Sequence, residues 1–209
     1  HSSLPKVLQP LAGRPMISHV LSAVQTVKDV AKTVVVVGHK AEEVKAALAG
    51  FDNVEYALQE PQLGTGHALQ QALPLLDPVA ETTLVLLGDV PLIQPETIER
   101  LRDAAGDGMA LLTTVLRNPT GYGRILRQRG RIVAIVEQKD ATEGQKQIRE
   151  VNTGIMLFPT ARLSGWLSEL KPANAQAEYY LTDVIGLAVR DGVCINSARP
   201  RRSFEVEGV

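Results

Sequence analysis

The chain reads as an α/β protein with a mixed, mostly parallel sheet, helices on both faces and a small antiparallel hairpin lobe. The run Leu84, Val85, Leu86, Leu87 is apolar without a break and of strand length. Such runs mark strands buried on both faces of a parallel sheet. Upstream of it, strand-like and helix-like patterns alternate, which predicts parallel strands joined by right-handed crossovers. Downstream, Arg127, Gln128, Arg129, Gly130 and Arg131 form a polar turn between two apolar segments. That is a hairpin, and its strands are antiparallel.

The elements follow in order. Pro5 stiffens the approach to Lys6. Gly13, Arg14 and Pro15 break structure, and Pro15 suits the first turn of a helix. Met16, Val20, Ala23, Val24 and Val27 then fall on one helical face, with His19 beside it, packed or solvated. Residues 33–37 are a β-branched strand ending at Gly38. Residues 41–48 are a short helix with Val44 and Leu48 inward, and 53–58 are the next strand. A helix over 67–76 follows. After the central strand come a helix over 95–105, a strand over 109–116, the hairpin with its return over 132–137, and a strand over 155–158 opened by Asn152, Thr153 and Gly154. Thr160 is expected to cap a helix with Leu163, Trp166, Leu167 and Leu170 inward. A loop over 171–177, a helix ending at Arg190 and a last strand over 193–198 complete the pattern.

The totals narrow the function classes. A length of 209 residues fits one large domain, or a domain with a small lobe. A hydrophobic content of 44% is ample for a core. The net charge is −1 and no basic block stands out, so nucleic acid is not an expected partner. Arg199, Arg201 and Arg202 read as a solvated turn. No apolar run approaches the roughly 20 residues of a membrane span, and no signal peptide is visible; a soluble cytoplasmic protein is expected. One cysteine excludes an internal disulfide, and the neighbours Val193 and Ile195 predict that Cys194 is a buried thiol. The chain starts at His1 and stops at Val209 without a capped helix or polar tail, so an interior piece of a longer protein is expected.

Chemistry collects at strand ends. Ligands of open α/β sheets sit outside the carboxyl ends of the strands. There Gly88 admits a bulky group, and Asp89 offers oxygen to a hard cation such as Mg²⁺. The alternative is a turn with a solvated aspartate. Lys6 can act as a point charge on phosphate, or be an ordinary surface lysine. Gly64 and Gly66 bracket Thr65 at a strand-to-helix turn, where backbone N–H groups can hold phosphate or a base edge. The amide of Gln59 can both donate and accept, as a base edge requires. Glu137, Lys139 and Asn152, taken singly, read as turn chemistry. Tyr179, Tyr180 and Thr182 can bond a sugar or cap a helix.

Taken together, the ordered motifs L-P-K-V-L, Q-x-x-Q-L-G-T-G-H-A, G-D-V-P-L, P-T-G-Y-G-R-I, V-E-x-K-D-A, V-N-T-G-I, E-Y-Y-L-T-D and F-E-V-E-G-V resemble one family from Leu4 to Val209. It is the uridylyltransferase domain of the bacterial bifunctional N-acetylglucosamine-1-phosphate uridylyltransferase / glucosamine-1-phosphate acetyltransferases. The resemblance implies a Rossmann-like nucleotide-diphospho-sugar transferase fold. It implies that UTP and N-acetylglucosamine 1-phosphate give UDP-N-acetylglucosamine and pyrophosphate, for peptidoglycan and lipopolysaccharide precursors. It also implies that Asp89 binds Mg²⁺ and that Lys6 sits on nucleotide phosphates. Gln59, Gly64 and Thr65 would contact the uridine end, with Leu87 and Gly88 beside the nucleotide. Gly123, Glu137, Asn152, Tyr180 and Thr182 would surround the amino sugar. The full-length protein would be a homotrimer with an acetyltransferase half.

The pattern departs from the family in places. The family's opening strand and glycine-rich phosphate loop are absent, as is the metal-binding asparagine after E-V-x-G-V and the whole β-helix half. Leu87 stands where some relatives have an aromatic residue. The competing readings are a transferase for another base or sugar, such as thymidylyl on glucose 1-phosphate, and a non-catalytic nucleotide-sugar sensor. A dinucleotide oxidoreductase is disfavoured, because no G-x-G-x-x-G follows a strand.

Overall fold

The computed structural model describes residues 4–208; His1 and Val209, on which the interior-piece expectation and the last position of F-E-V-E-G-V rest, lie outside the described residues. A 3-10 turn, Lys6–Leu8, leads into the short antiparallel ladder of β1 (Pro10–Leu11) and β2 (Arg14–Pro15). Helix α1 (Met16–Thr26) starts directly after Pro15, whose fixed φ suits that place. It buries Met16, Val20 and Val24 as expected, and Ile17 and Leu21 as well. His19 is packed, its Nε2 2.8 Å from the Leu11 carbonyl oxygen. Strands β3 (Thr33–Val37) and β4 (Val54–Leu58), joined through α2 (Ala41–Ala47), form a parallel pair.

Helix α3 (Thr65–Ala72) ends in a 3-10 turn, Leu73–Leu75, and leads to β5 (Thr82–Val85). Helix α4 (Pro95–Ala105) buries Thr97, Ile98, Leu101 and Ala105. Strand β6 (Met109–Val115) is followed by the hairpin of β7 (Arg124–Gln128) and β8 (Arg131–Val136). After the short α5 (Glu143–Lys146) comes β9 (Glu150–Pro159), which is 10 residues long. Helix α6 (Thr160–Glu169), a 3-10 turn (Leu181–Asp183), α7 (Val184–Arg190) and β10 (Ile195–Ala198) complete the sheet region. A last 3-10 turn, Ser203–Val206, returns the tail to α4.

The main sheet has the order β10-β6-β9-β7-β8, with β5 also paired to β9. Strand β9 presents one edge to β6 and the other to β5 and β7. All of these β9 pairings are antiparallel, as is β7 with β8; β3–β4 and β10–β6 are the parallel ones among the described residues. The sheet is therefore mixed, as expected, but its balance is more antiparallel than the strand and helix alternation suggests. The cause is the length of β9, which lets one strand serve three partners. Its largest hydrophobic cluster runs from Met109 and Leu111 through Met156 and Phe158 to Trp166 and Ile185.

Other expectations need correction. Asn152 and Gly154 lie inside β9, not at its opening turn. Thr160 does not cap α6; it is the first helical residue, and its hydroxyl pairs with that of Thr83 at 2.8 Å. Cys194 is exposed. The strand begins only at Ile195, and what Cys194 supplies is a backbone carbonyl that accepts from Met109 N–H at 3.0 Å. Leu84, Val85, Leu86 and Leu87 are half-buried, and strand geometry stops at Val85. Strand β5 pairs only with β9 among the described residues, so its other edge lies open.

Candidate active site

One cavity of about 970 Å³ runs through the molecule. Its floor and walls come from the inward face of α1, both open-edged strands β3 and β5, and one face of α3. Aliphatic side chains dominate that part, among them Val20, Val24, Val35, Leu69, Leu84 and Leu86, although Lys28, Asp29, Lys32 and Arg102 also border the cavity. At the other end its lining turns polar. Lys6, Thr65, Leu87, Gly88, Gly123, Glu137, Asn152 and Thr182, which are scattered in sequence, all border it.

Each polar group at this mouth is fixed by a neighbour. Gly64, with φ of +107°, ends the loop before α3 in a conformation open to glycine. A side chain there would collide with the Tyr179 carbonyl oxygen at 2.7 Å. Gln59 is buried behind it, its Nε2 donating to the Gly64 carbonyl at 3.0 Å and lying 3.1 Å from His67 Nδ1. The Thr65 hydroxyl accepts from Leu181 N–H at 3.1 Å, tying α3 to the tyrosine segment. Thr182 donates to Glu137 Oε1 at 2.9 Å. Asn152 donates its N–H to the Gly123 carbonyl at 2.9 Å, and its Oδ1 accepts from Gly154 N–H at 3.1 Å. Groups held this way keep their aim without a ligand.

Charge is distributed with the same economy. Burial pushes the Glu137 carboxyl above its ordinary range; Thr182 opposes this, and the charges of Asp183 and Asp140 add to it. Tyr180 is buried, and desolvation, aided by Asp140, pushes its phenol up to about 12. The Tyr180 hydroxyl is buried beside the Asp140 carboxylate. At the rim, Lys6 Nζ sits 2.7 Å from Asp89 Oδ2, with the two side chains 60% and 30% exposed. An ion pair this exposed is weak, so either partner can leave it for a phosphate or a cation.

Of the residues singled out from sequence, Gln59, Gly64 and Tyr180 back the cavity wall and do not form it, and Asp89 reaches the cavity through Lys6. Several neighbours escaped that reading. Gly154, with φ of +83°, admits the side chain of Leu87, which would meet a Cβ at 2.6 Å. Gln62 packs against Gly38, where a Cβ would collide with its amide nitrogen. Arg124 is fully buried in β7 and bonds the carbonyl of Tyr122 and the Gln138 side chain.

The residues present suit a divalent cation of one kind. Among the described residues no cluster of three or more His, Cys, Asp or Glu could enclose a metal. Mg²⁺ does not need one: it binds through one or two carboxylates plus substrate phosphates and keeps several waters. The single, half-exposed Asp89 beside a lysine fits that mode. No helix among the described residues is long and apolar enough to cross a membrane.

The chain resembles several known proteins. The family model of the MobA-like NTP transferase domain matches residues 2–154. The chain is 57% identical over 210 residues to the bifunctional protein GlmU of Paraburkholderia phymatum, an alignment that takes in 100% of this chain and 46% of that protein. It thus spans about half the length of the curated relatives it matches. A UDP-glucose pyrophosphorylase complexed with UDP-glucose superposes with a TM-score of 0.73 at 16% identity, over 98% of this chain and 86% of that one. A CMP–2-keto-3-deoxy-manno-octonic acid synthetase complexed with CTP superposes with a TM-score of 0.69 at 20% identity, over 96% and 86%. At those identities the superpositions establish the fold, that of the nucleotide-diphospho-sugar transferases.

Proposed function

The chain belongs to the MobA-like NTP transferase domain family, and from that premise we propose that it is the domain that transfers uridylyl from UTP to N-acetylglucosamine 1-phosphate. The observation that carries this reading is the convergence on one cavity mouth of Lys6, Thr65, Glu137, Asn152 and Thr182, with Asp89 ion-paired at the rim. The high identity to bifunctional GlmU proteins supports the choice of substrates.

In the reaction an oxygen of the sugar phosphate attacks the α-phosphorus of UTP. The new P–O bond gives UDP-N-acetylglucosamine, and the bond to the β-phosphate breaks to release pyrophosphate. No covalent nucleophile is required, because catalysis here is positioning plus charge neutralisation. Lys6 meets the nucleotide phosphates. Gln59, Gly64 and Thr65 shape the uridine end, and Leu87 and Gly88 carry the backbone beside it. Gly123, Glu137, Asn152 and Thr182 hold the amino sugar, and Tyr180 supports them from behind the cavity wall. Asp89, together with substrate phosphates, would hold Mg²⁺, which supplies charge stabilisation on the transferring phosphate.

The apolar end of the cavity is read differently. Two strand edges with free N–H and C=O groups face one slot, a situation proteins seldom leave uncovered. We read it as the seat of the family's opening strand, with its glycine-rich loop reaching the mouth. In the complete protein we further propose an acetyltransferase half, a homotrimer and a cytoplasmic location. Assaying the four nucleoside triphosphates against N-acetylglucosamine 1-phosphate and glucose 1-phosphate tests the substrate assignment. Preference for any pair other than UTP with N-acetylglucosamine 1-phosphate would overturn it.

A further inference from the structure

Glu205 is a carboxylate in an unexpected place. It is 3% exposed, and no lysine, arginine or histidine is paired with it among the described residues. Burying such a group is costly unless its oxygens are well bonded. Both are: Oε1 accepts from Arg202 N–H at 3.0 Å, and Oε2 accepts from the Thr97 hydroxyl at 2.5 Å. Thr97 is itself 1% exposed, in the first turn of α4. The neighbour Val206 sinks into the cluster that contains Ile98 and Leu101 of the same helix. The tail is thus latched to α4 by one polar and one apolar contact.

The latch delivers the backbone to the rim of the site. Two residues past Val206, a Cβ on Gly208 would lie 3.8 Å from Asp89 Oδ2 and 3.9 Å from the Asp89 carbonyl oxygen. Asp89 therefore has Lys6 as its ionic partner and the tail backbone close by. We propose that Glu205 is a positioning residue for the Asp89 site: it pins the tail to α4 and so sets where the backbone at Gly208 lies beside the Asp89 carboxylate. This rests on the reading of Asp89 as the cation-holding carboxylate. Groups that orient a metal ligand without touching the metal typically carry roughly 10-fold to 100-fold in affinity.

The test uses the complete protein. Binding of Mn²⁺ with UTP is followed by electron paramagnetic resonance, alongside the Mg²⁺ concentration for half-maximal turnover and the KM for N-acetylglucosamine 1-phosphate. Glu205→Ala is expected to weaken Mn²⁺ binding about 10-fold and raise the Mg²⁺ requirement in step, with the sugar phosphate KM little changed. Glu205→Gln is expected to restore both, since an amide can accept from Arg202 N–H and donate to Thr97. Thr97→Val is expected to shift both the same way by a smaller factor, and it decides the matter if Glu205→Ala does not fold. Asp89→Asn serves as the control: if it leaves Mn²⁺ binding intact, the reading of Asp89 falls. If Asp89→Asn abolishes binding while Glu205→Ala, or failing it Thr97→Val, does not weaken it, the latch proposal alone is overturned. Equal losses in Mg²⁺ and sugar phosphate dependence would also overturn it, because they would mark a general structural role.

Discussion

The mouth and the slot of the same cavity are built on opposite plans. At the mouth nearly every polar side chain already has a partner: Thr65 with Leu181, Thr182 with Glu137, Asn152 with Gly154. In the slot most side chains of β3 and β5 are aliphatic, and each of these strands has one edge unpaired among the described residues. The first arrangement presents a few aimed groups to a small polar molecule. The second presents a hydrogen-bonding ladder with apolar faces, which matches a peptide strand and not a sugar or a base. One cavity can therefore hold two kinds of occupant, and its volume does not measure its substrate.

Substitutions at the mouth should break the first plan. In the complete protein, Asp89→Asn is expected to lower turnover by about 10²–10³, the scale of one lost charge-stabilising contact in a transition state; a steady-state assay at saturating Mg²⁺ checks it. Asn152→Ala and Glu137→Ala are expected to raise the KM for N-acetylglucosamine 1-phosphate roughly 10-fold, with a smaller change in the KM for UTP. An unchanged sugar phosphate KM in both would remove them from the sugar end.

The slot predicts a contrast in binding behaviour. The 209-residue chain should enhance the fluorescence of a hydrophobic dye such as ANS, and the complete protein should not. Equal enhancement in both would mean that no strand fills the slot.

The smallest effect concerns pH. The Glu137 carboxyl has a raised folded-state pKa, so the native protein takes up its proton more readily than the unfolded chain. Its contribution to stability is fully present below the ordinary value of 4.5 and is lost as pH rises through the raised one. Glu137→Gln should therefore raise the melting temperature at pH 7, by roughly 2–4 °C for each kcal/mol relieved, and the gain should shrink towards pH 4. Calorimetric melting at both pH values checks the sign.

Much of the scaffold was legible because its periodicity is local. The stripe of Ile98 and Leu101 marks α4 at 95–105, where the structure has it, and the β-branched run marks β3 at 33–37. Non-local causes were harder to read. Whether Leu84 to Leu87 are buried depends on a strand neighbour, which no pattern within the run can report. The start of β9 at Glu150 is fixed by pairing to Val115 of β6, and Thr160 loses its cap role to Thr83 across the sheet. The candidate site was visible only as an ordered set of motifs. Glu137, Asn152 and Thr182 look like ordinary turn residues until β8, β9 and the 3-10 turn at Leu181–Asp183 bring them together.

Strand β9 borders both halves of the cavity, carrying Asn152 and Gly154 at one end and pairing with β5 at the other. Side chains in a strand alternate, so inserting or deleting a single residue between Asn152 and Met156 would turn one end over relative to the other. Length changes there are forbidden, whereas the irregular stretch at 171–177 can absorb them. Homologues that handle different sugars should therefore differ by exchanging residues along β9 at constant spacing, and vary in length in that loop instead.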